Sequence, residues 1–161
     1  MITEALEHLQ KAKNKAARYC SGAERSPYQV LTKLQLYGLE FLDAKIVLKS
    51  LEKANFINEK RFISAFVNDK FTYNKWGKIK ISIELKKHKI SSFQIEQGLN
   101  MIKKSDYELK ISELIDQKWQ QLQGEEIFLI KKKKTCQFVI AKGFESHLVL
   151  EQFDQKVKYL S

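Results

Sequence analysis

Between residues 70 and 89 this chain sets Lys70, Lys75, Lys78, Lys80, Lys86, Lys87 and Lys89 around Phe71, Tyr73 and Trp76. Ammonium groups neutralise phosphates and aromatic faces take up bases, so basic residues interleaved with aromatics predict a surface for a polyanion. The competing reading is a solvated lysine face on a helical protein. Charge is unevenly placed. Residues 1–57 hold nine Lys/Arg against six Asp/Glu, residues 58–105 eleven against four, and residues 106–161 nine against nine, within a formal net charge of +10. The run Lys131-Lys132-Lys133-Lys134 is a weaker signal, because four consecutive residues point around most of a helix and acidic residues lie before and after it.

No other constellation points to chemistry. The chain has no GxxxxGK phosphate loop, no GxGxxG, no HExxH and no glycine-flanked serine of a nucleophile elbow, which predicts a protein that is not an enzyme and needs no cofactor. Cys20 and Cys136 are far apart with no CxxC, and His8, His88 and His147 fall in three different regions. Reduced, partly buried thiols and histidines without dedicated partners are expected, and no metal site. The start, MITEALEHLQ, has acidic residues and no apolar run, which predicts no secretory signal, no membrane span and a cytoplasmic protein.

The elements that must carry these residues repeat. VLTKLQLYGLEFLDAKIVL (30–48), ISIELKKHKISSFQIEQGL (81–99) and TCQFVIAKGFESHLVLEQF (135–153) align without gaps. Leu34, Leu85 and Val139 coincide, as do Leu39, Ile90 and Phe144, then Ala44, Ile95 and Val149, then Leu48, Leu99 and Phe153. Such spacing predicts an array of similar modules that share apolar surface with their neighbours. One proline, six glycines and an abundance of Leu, Ile, Lys, Glu and Gln make those modules helical.

Each unit reads as a leading, a central and a closing helix. Leading helices are expected over 3–20, 59–74 and 106–122, the middle unit's central helix over 78–88, and closing helices over 41–54, 92–104 and 145–158. Ser26-Pro27-Tyr28-Gln29 supplies a serine cap, a proline at the first helical position and a glutamine to bond back. Gly38 stops that helix in a Schellman turn across which Leu34 and Leu39 touch, and the same pairing recurs as Leu85 with Ile90 and Val139 with Phe144. Asn58 caps the second leading helix, and Ser105 with Glu108 forms a box for the third. In 59–74, Phe62, Ile63, Phe66 and Val67 form a core stripe. In 78–88, Ile81, Leu85 and His88 gather on one side and Ile79 and Ile83 on the other, which predicts that this helix packs into its own unit with one face and toward an adjoining unit with the other.

Three segments resemble the RecX regulatory proteins. NFINEKRFISAFVNDK (55–70) is similar to the segment joining their first two repeats, with Ile57, Glu59, Arg61 and Phe62 preserved. WGKIKISIELKKHKI (76–90) resembles their Gly-x-x-x-Ile-x-x-Glu-Leu-x-x-Lys-Gly-Ile signature through Gly77, Ile81, Glu84, Leu85 and Ile90. ERSPYQVLTKLQLYGL (24–39) matches the first-repeat motif through Ser26, Lys33, Leu34 and Gly38, and AKGF (141–144) matches Arg-Gly-Phe of the third repeat. Gln29 replaces the usual Glu, Asn58 an Asp, and Lys89 the glycine of the second repeat.

The resemblance implies an all-α, elongated array of three tandem three-helix repeats, placed here at 1–57, 58–105 and 106–161. It also implies a bacterial protein, monomeric when free, that binds the RecA recombinase filament on single-stranded DNA and lowers its ATPase and strand-exchange activity. The residues expected to contact filament or nucleic acid are Arg61, Lys70, Lys75, Trp76, Lys78, Lys80, Lys86, Lys87, Lys89, Lys132 and Lys133. Two other classes stay open on the residues themselves: a sequence-nonspecific DNA-binding module, and a helical scaffold for an acidic protein.

Overall fold

The computed structural model describes residues 1–160, and among them every regular element is an α-helix. Among these residues nine helices run in chain order: α1 (Ile2–Gly22), α2 (Pro27–Leu36), α3 (Phe41–Lys53), α4 (Glu59–Thr72), α5 (Lys78–Lys87), α6 (Ser92–Leu99), α7 (Lys104–Gln121), α8 (Phe128–Ala141) and α9 (Ser146–Leu160). They group in threes. The larger helix–helix contacts all join members of one triplet, α1–α3, α4–α6 or α7–α9.

The repeat register is a burial register. Leu34, Leu85 and Val139 are all fully buried, and Leu39, Ile90 and Phe144 pack in equivalent places, as do Ala44, Ile95 and Val149. The fourth set is uneven: Phe153 is buried in the third unit, whereas Leu48 and Leu99 only pack against the edges of their cores. Each triplet closes around a cluster of its own, so the units are more self-contained than an array that shares its whole apolar face. Among the described residues, only the clusters of the middle and third units have apolar residues in common, Phe71 and Ile102.

Local chemistry sets most boundaries as expected. Ser26 caps α2 with both halves of a capping box, its Oγ accepting from Gln29 N–H at 3.1 Å and Gln29 Oε1 accepting from Ser26 N–H at 3.0 Å. Asn58 caps α4 through Arg61 N–H at 2.9 Å. Gly38, at φ 94°, ends α2 with Gly38 N–H on Gln35 O and Leu39 N–H on Leu34 O, the two bonds of a Schellman turn. Lys89 takes the same left-handed conformation, φ 59°, without being glycine.

Three boundaries differ. α1 continues through Ser21 to Gly22, where Ser21 Oγ bonds back to Ala17 O instead of breaking the helix. α6 stops at Leu99 rather than near 104, because the turn through Asn100 and Met101 delivers Ile102 into the two adjoining cores. α7 starts earlier than the expected Ser105–Glu108 box. Lys103 is its N-cap, with no side-chain bond, and Glu108 faces Lys104 at 3.9 Å instead.

Candidate functional site

Lys78, Lys80, Lys86 and Lys87 sit on α5, a helix held at both ends by its neighbours, with Lys70 on α4 and Lys75 and Lys89 in the flanking turns. Gly77 caps α5 and has no side chain to offer, so the free N–H groups of the first turn find acceptors in the third unit. Gly77 N–H donates to Lys142 O at 2.8 Å, Lys78 N–H to Tyr107 Oη at 2.9 Å, and Ile79 N–H to Gly143 O at 3.0 Å. Tyr107 O–H donates in turn to Glu145 Oε1 at 2.9 Å. Burial pushes this phenol well above its ordinary range. The last turn of α8 thus abuts the first turn of α5, the arrangement helix dipoles favour. The backbones meet so closely that a Cβ on Gly77 would overlap the Gly143 carbonyl, and one on Gly143 would lie 2.7 Å from Lys80 N.

The other end of α5 repeats the pattern against the first unit. His88, its C-cap, places Nδ1 2.8 Å from Ser26 Oγ, the N-cap hydroxyl of α2. That hydroxyl also accepts from Gln29 N–H, and its proton and second lone pair let it meet Nδ1 in either ring tautomer. Partial burial lowers the affinity of His88 for a second proton, with Glu84 pulling the other way. Rings of Phe62 and Phe66 pack on it at 4.9 and 5.8 Å. His88 therefore has a partner, contrary to its sequence reading, while His8 and His147 are exposed as expected. The inter-unit role of α5 belongs to its two ends: Ile79 and Ile83, the face expected to meet a neighbour, remain 47% and 51% exposed.

Within this frame the expected contact residues divide by what each ammonium meets. Lys70 and Lys80 lie 4.9 and 4.5 Å from the Trp76 ring centroid, and Lys70 also reaches Phe66. Lys78 lies 4.9 Å from the Tyr107 ring, at the joint with the third unit, and Lys89 lies 5.9 Å from Tyr28, at the joint with the first. Lys87 pairs with Glu84 at 2.8 Å. Among the described residues, Lys70, Lys75, Lys78, Lys80, Lys86 and Lys89 make no ion pair with a carboxylate. That leaves a local field of one sign.

Other expected contacts lie elsewhere. Arg61 points into the joint with the first unit: its Nε meets Glu24 Oε1 at 2.6 Å, while Nη1 and Nη2 reach the Asn55 side chain and carbonyl at 3.1 Å. Lys132 is on α8 with Asp154 at 3.4 Å and the Phe153 ring beneath it. In the same run Lys134 pairs with Glu125 and Lys131 lies over Trp119, leaving Lys133 exposed. At 1.5 Å per residue, Lys132 and Lys133 are roughly 15 Å along α8 from the end that meets α5. The aromatics divide as well. Phe71 stacks on Tyr107 inside the joint, Trp76 is half-buried, and Tyr73 is exposed. The partners of Arg61 and His88, and the meeting of Gly77 with Gly143, were missed. Ser26 as a helix cap and the two glycines were the only traces in the sequence, and nothing marked Arg61 with Glu24 and Asn55.

Both cysteines are free thiols, Cys20 partly buried and Cys136 buried, and burial raises both. Among the described residues no helix is long and apolar enough to cross a membrane.

Comparison with known proteins bears on this architecture. Residues 58–99, the whole of α4–α6, match the model of the second three-helix domain of RecX. The regulatory protein RecX of Chlorobium phaeobacteroides strain BS1 is 30% identical over 150 residues, covering 90% of this chain and 93% of that one. The regulatory protein RecX of Herminiimonas arsenicoxydans is 38% identical over 78 residues, 48% of this chain and 50% of that protein. The chain spans half to about three-fifths of the length of several such relatives. The crystal structure of RecX from Lactobacillus salivarius superposes with a TM-score of 0.85 at 19% identity, covering 93% of this chain and 97% of that one, a likeness of fold.

Proposed function

Since this chain belongs to the RecX family of regulatory proteins, we propose that it binds a RecA-type recombinase filament on single-stranded DNA and lowers its ATPase and strand-exchange activity. The observation that carries the reading is the set of middle-unit lysines with no carboxylate partner among the described residues, Lys78, Lys80 and Lys86 on α5 with Lys70, Lys75 and Lys89 beside it, on a unit whose helix α5 is tied to both neighbours. Such an array of units spans more than one protomer of a filament. It favours one filament state only through its greater affinity for that state. ATP belongs to the partner. The units are taken as 1–57, 58–105 and 106–161, and the protein as cytoplasmic and monomeric when free.

The test separates fold from binding. Lys75, Lys86 and Lys87 lie on the outside of the middle unit, whereas Lys78 is at a joint and is left unchanged. Lys75→Glu/Lys86→Glu/Lys87→Glu should keep the helicity and melting of the parent, yet inhibit recombinase ATPase on single-stranded DNA at least tenfold less effectively. Reversing Lys11, Lys13 and Lys15 in α1 should matter less. Equal inhibition by parent and both triple variants would remove the basic middle unit from the contact.

A second reading, a DNA-binding module indifferent to the recombinase, is favoured by the two ammonium groups at Trp76. It requires affinity for bare single strands that falls with salt, by about 0.7 in the logarithm per phosphate neutralised, and little preference among sequences. Inhibition at protein concentrations too low to coat bare DNA would exclude it.

A further inference from the structure

Helix α5 has two aliphatic faces, and only one is used. Ile81 and Leu85 are fully buried, while Ile79 and Ile83 stand 47% and 51% exposed on the opposite side. Isoleucine is a costly choice for an exposed helical position, since alanine or lysine would form the helix better and leave no apolar surface in water. Single exposed aliphatics are ordinary. A pair at i and i+4 forms a stripe, and the setting of this one is specific. The four positions three and four residues from Ile83 are Ile79, Lys80, Lys86 and Lys87. The stripe is therefore framed by cations within the most basic part of the molecule. Of these, Lys80 extends over Trp76 and Lys87 over Glu84, both drawn aside, while Lys86 makes no ion pair among the described residues.

A bare nucleic acid does not complement this arrangement. Phosphates would satisfy the lysines but leave Ile79 and Ile83 against charged, hydrated oxygens, and bases stack on aromatic rings, not on aliphatic branches. A protein surface with aliphatic residues set among carboxylates covers both: it removes the two isoleucines from water and pairs the lysines at the rim. We propose that the outer face of α5 is a protein-docking surface for such an acidic, aliphatic patch, and that in the function proposed above this patch belongs to the recombinase and not to its DNA. The inference rests on that function. It divides the middle unit's work, with the Ile79–Ile83 stripe reading protein and the lysines around Trp76 free to meet phosphate.

Changing the stripe to lysine gives the two possibilities opposite signs. In the full chain, Ile79→Lys/Ile83→Lys should raise the concentration needed for half-inhibition of recombinase–single-strand ATPase at least tenfold. Affinity for a labelled oligo-dT strand without recombinase should stay level or rise, since two cations have been added. Ile79→Ala/Ile83→Ala, which favours the helix and adds no charge, should lose inhibition in the same direction with unchanged oligo-dT binding. Circular dichroism melts of both variants establish the folded state. A lysine variant that inhibits as well as the parent overturns the inference, and so does loss of oligo-dT binding and inhibition together in the alanine variant, which would mean that the stripe touches nucleic acid. A parent with no effect on the filament overturns the proposed function and this inference with it.

Discussion

The two joints that α5 makes are built from different materials. Toward the third unit the contact is mostly backbone and apolar: consecutive N–H groups on carbonyls and a phenol, two glycines in van der Waals contact, and Phe71 and Ile102 shared between cores. Toward the first unit it is mostly side chain: Ser26 on His88, Glu24 on Arg61, Lys89 near Tyr28. Backbone contacts with no room for a Cβ fix distance and angle together. Side-chain contacts across polar groups, with Arg61 and Glu24 each about a third exposed, hold two bodies near one another with more latitude. The second and third units should therefore move as one piece, and the first should pivot against them.

Gly143→Ala attacks the stiffer joint and should have the largest effect. The new Cβ must be carried at φ 98°, and it must displace Lys80 on α5. A loss of about 3 kcal/mol, or roughly 6–12 °C in melting temperature, is expected by calorimetry. An unchanged melt would mean that this joint yields easily.

Cutting the softer joint should cost less. Arg61→Ala removes contacts to Glu24, Asn55 and Phe56, yet the ion pair is about a third exposed on both sides, so a double-mutant cycle of Arg61→Ala with Glu24→Ala should give a coupling of under about 1 kcal/mol. Small-angle scattering should nevertheless record a wider range of first-unit positions, and a coupling of several kcal/mol would make the two joints equals.

Acid should discriminate between them. His88 binds its second proton less readily in the folded chain than its ordinary value of 6.5, so the folded state holds fewer protons than the unfolded one once pH falls below that value. The joint's contribution is complete above about pH 6.5 and declines as pH drops through the lower folded value. Protection factors of α2 amides, taken against the base-catalysed intrinsic rate, should fall between pH 7 and 5, and His88→Gln should flatten that response. Tyr107, raised by burial, stays protonated throughout and leaves the other joint unaffected.

The smallest effect belongs to Lys89→Gly. The residue carries a left-handed penalty of roughly 1 kcal/mol that glycine removes, offset by the greater freedom of the unfolded chain and a weak contact over Tyr28. Melting should move by no more than a few degrees, upward if at all.

What the sequence made legible follows from how local each determinant is. The box at Ser26, the stop at Gly38 and the left-handed Lys89 are encoded within six residues of themselves, and the core register repeats three times, so each could be read. The Ser105–Glu108 box failed because the pattern also fits a helix already begun at Lys104. The lysine-rich site was visible as composition. Its division into joint, ion-paired and unpaired cations was not, since Arg61 finds Glu24 across 37 positions and Lys78 finds Tyr107 across 29. The second face of α5 was seen in the 3.6-residue period, but periodicity does not say whether a face is covered by the same chain or left open.

The end-to-end seating of α8 on α5 and of α5 on α2 makes the central helices a ruler. Because each neighbour is docked to a terminus, the length of α5 sets both the spacing and the angular phase of the units on either side of it. One residue inserted into α5 would lengthen it by about 1.5 Å and turn its far end by roughly 100°. The first unit would then be swung around the axis of the array with its own core untouched. In the function proposed above, a body that follows the pitch of a helical filament would lose that match without losing its fold, which would make the length of this ten-residue helix a record of that partner's geometry.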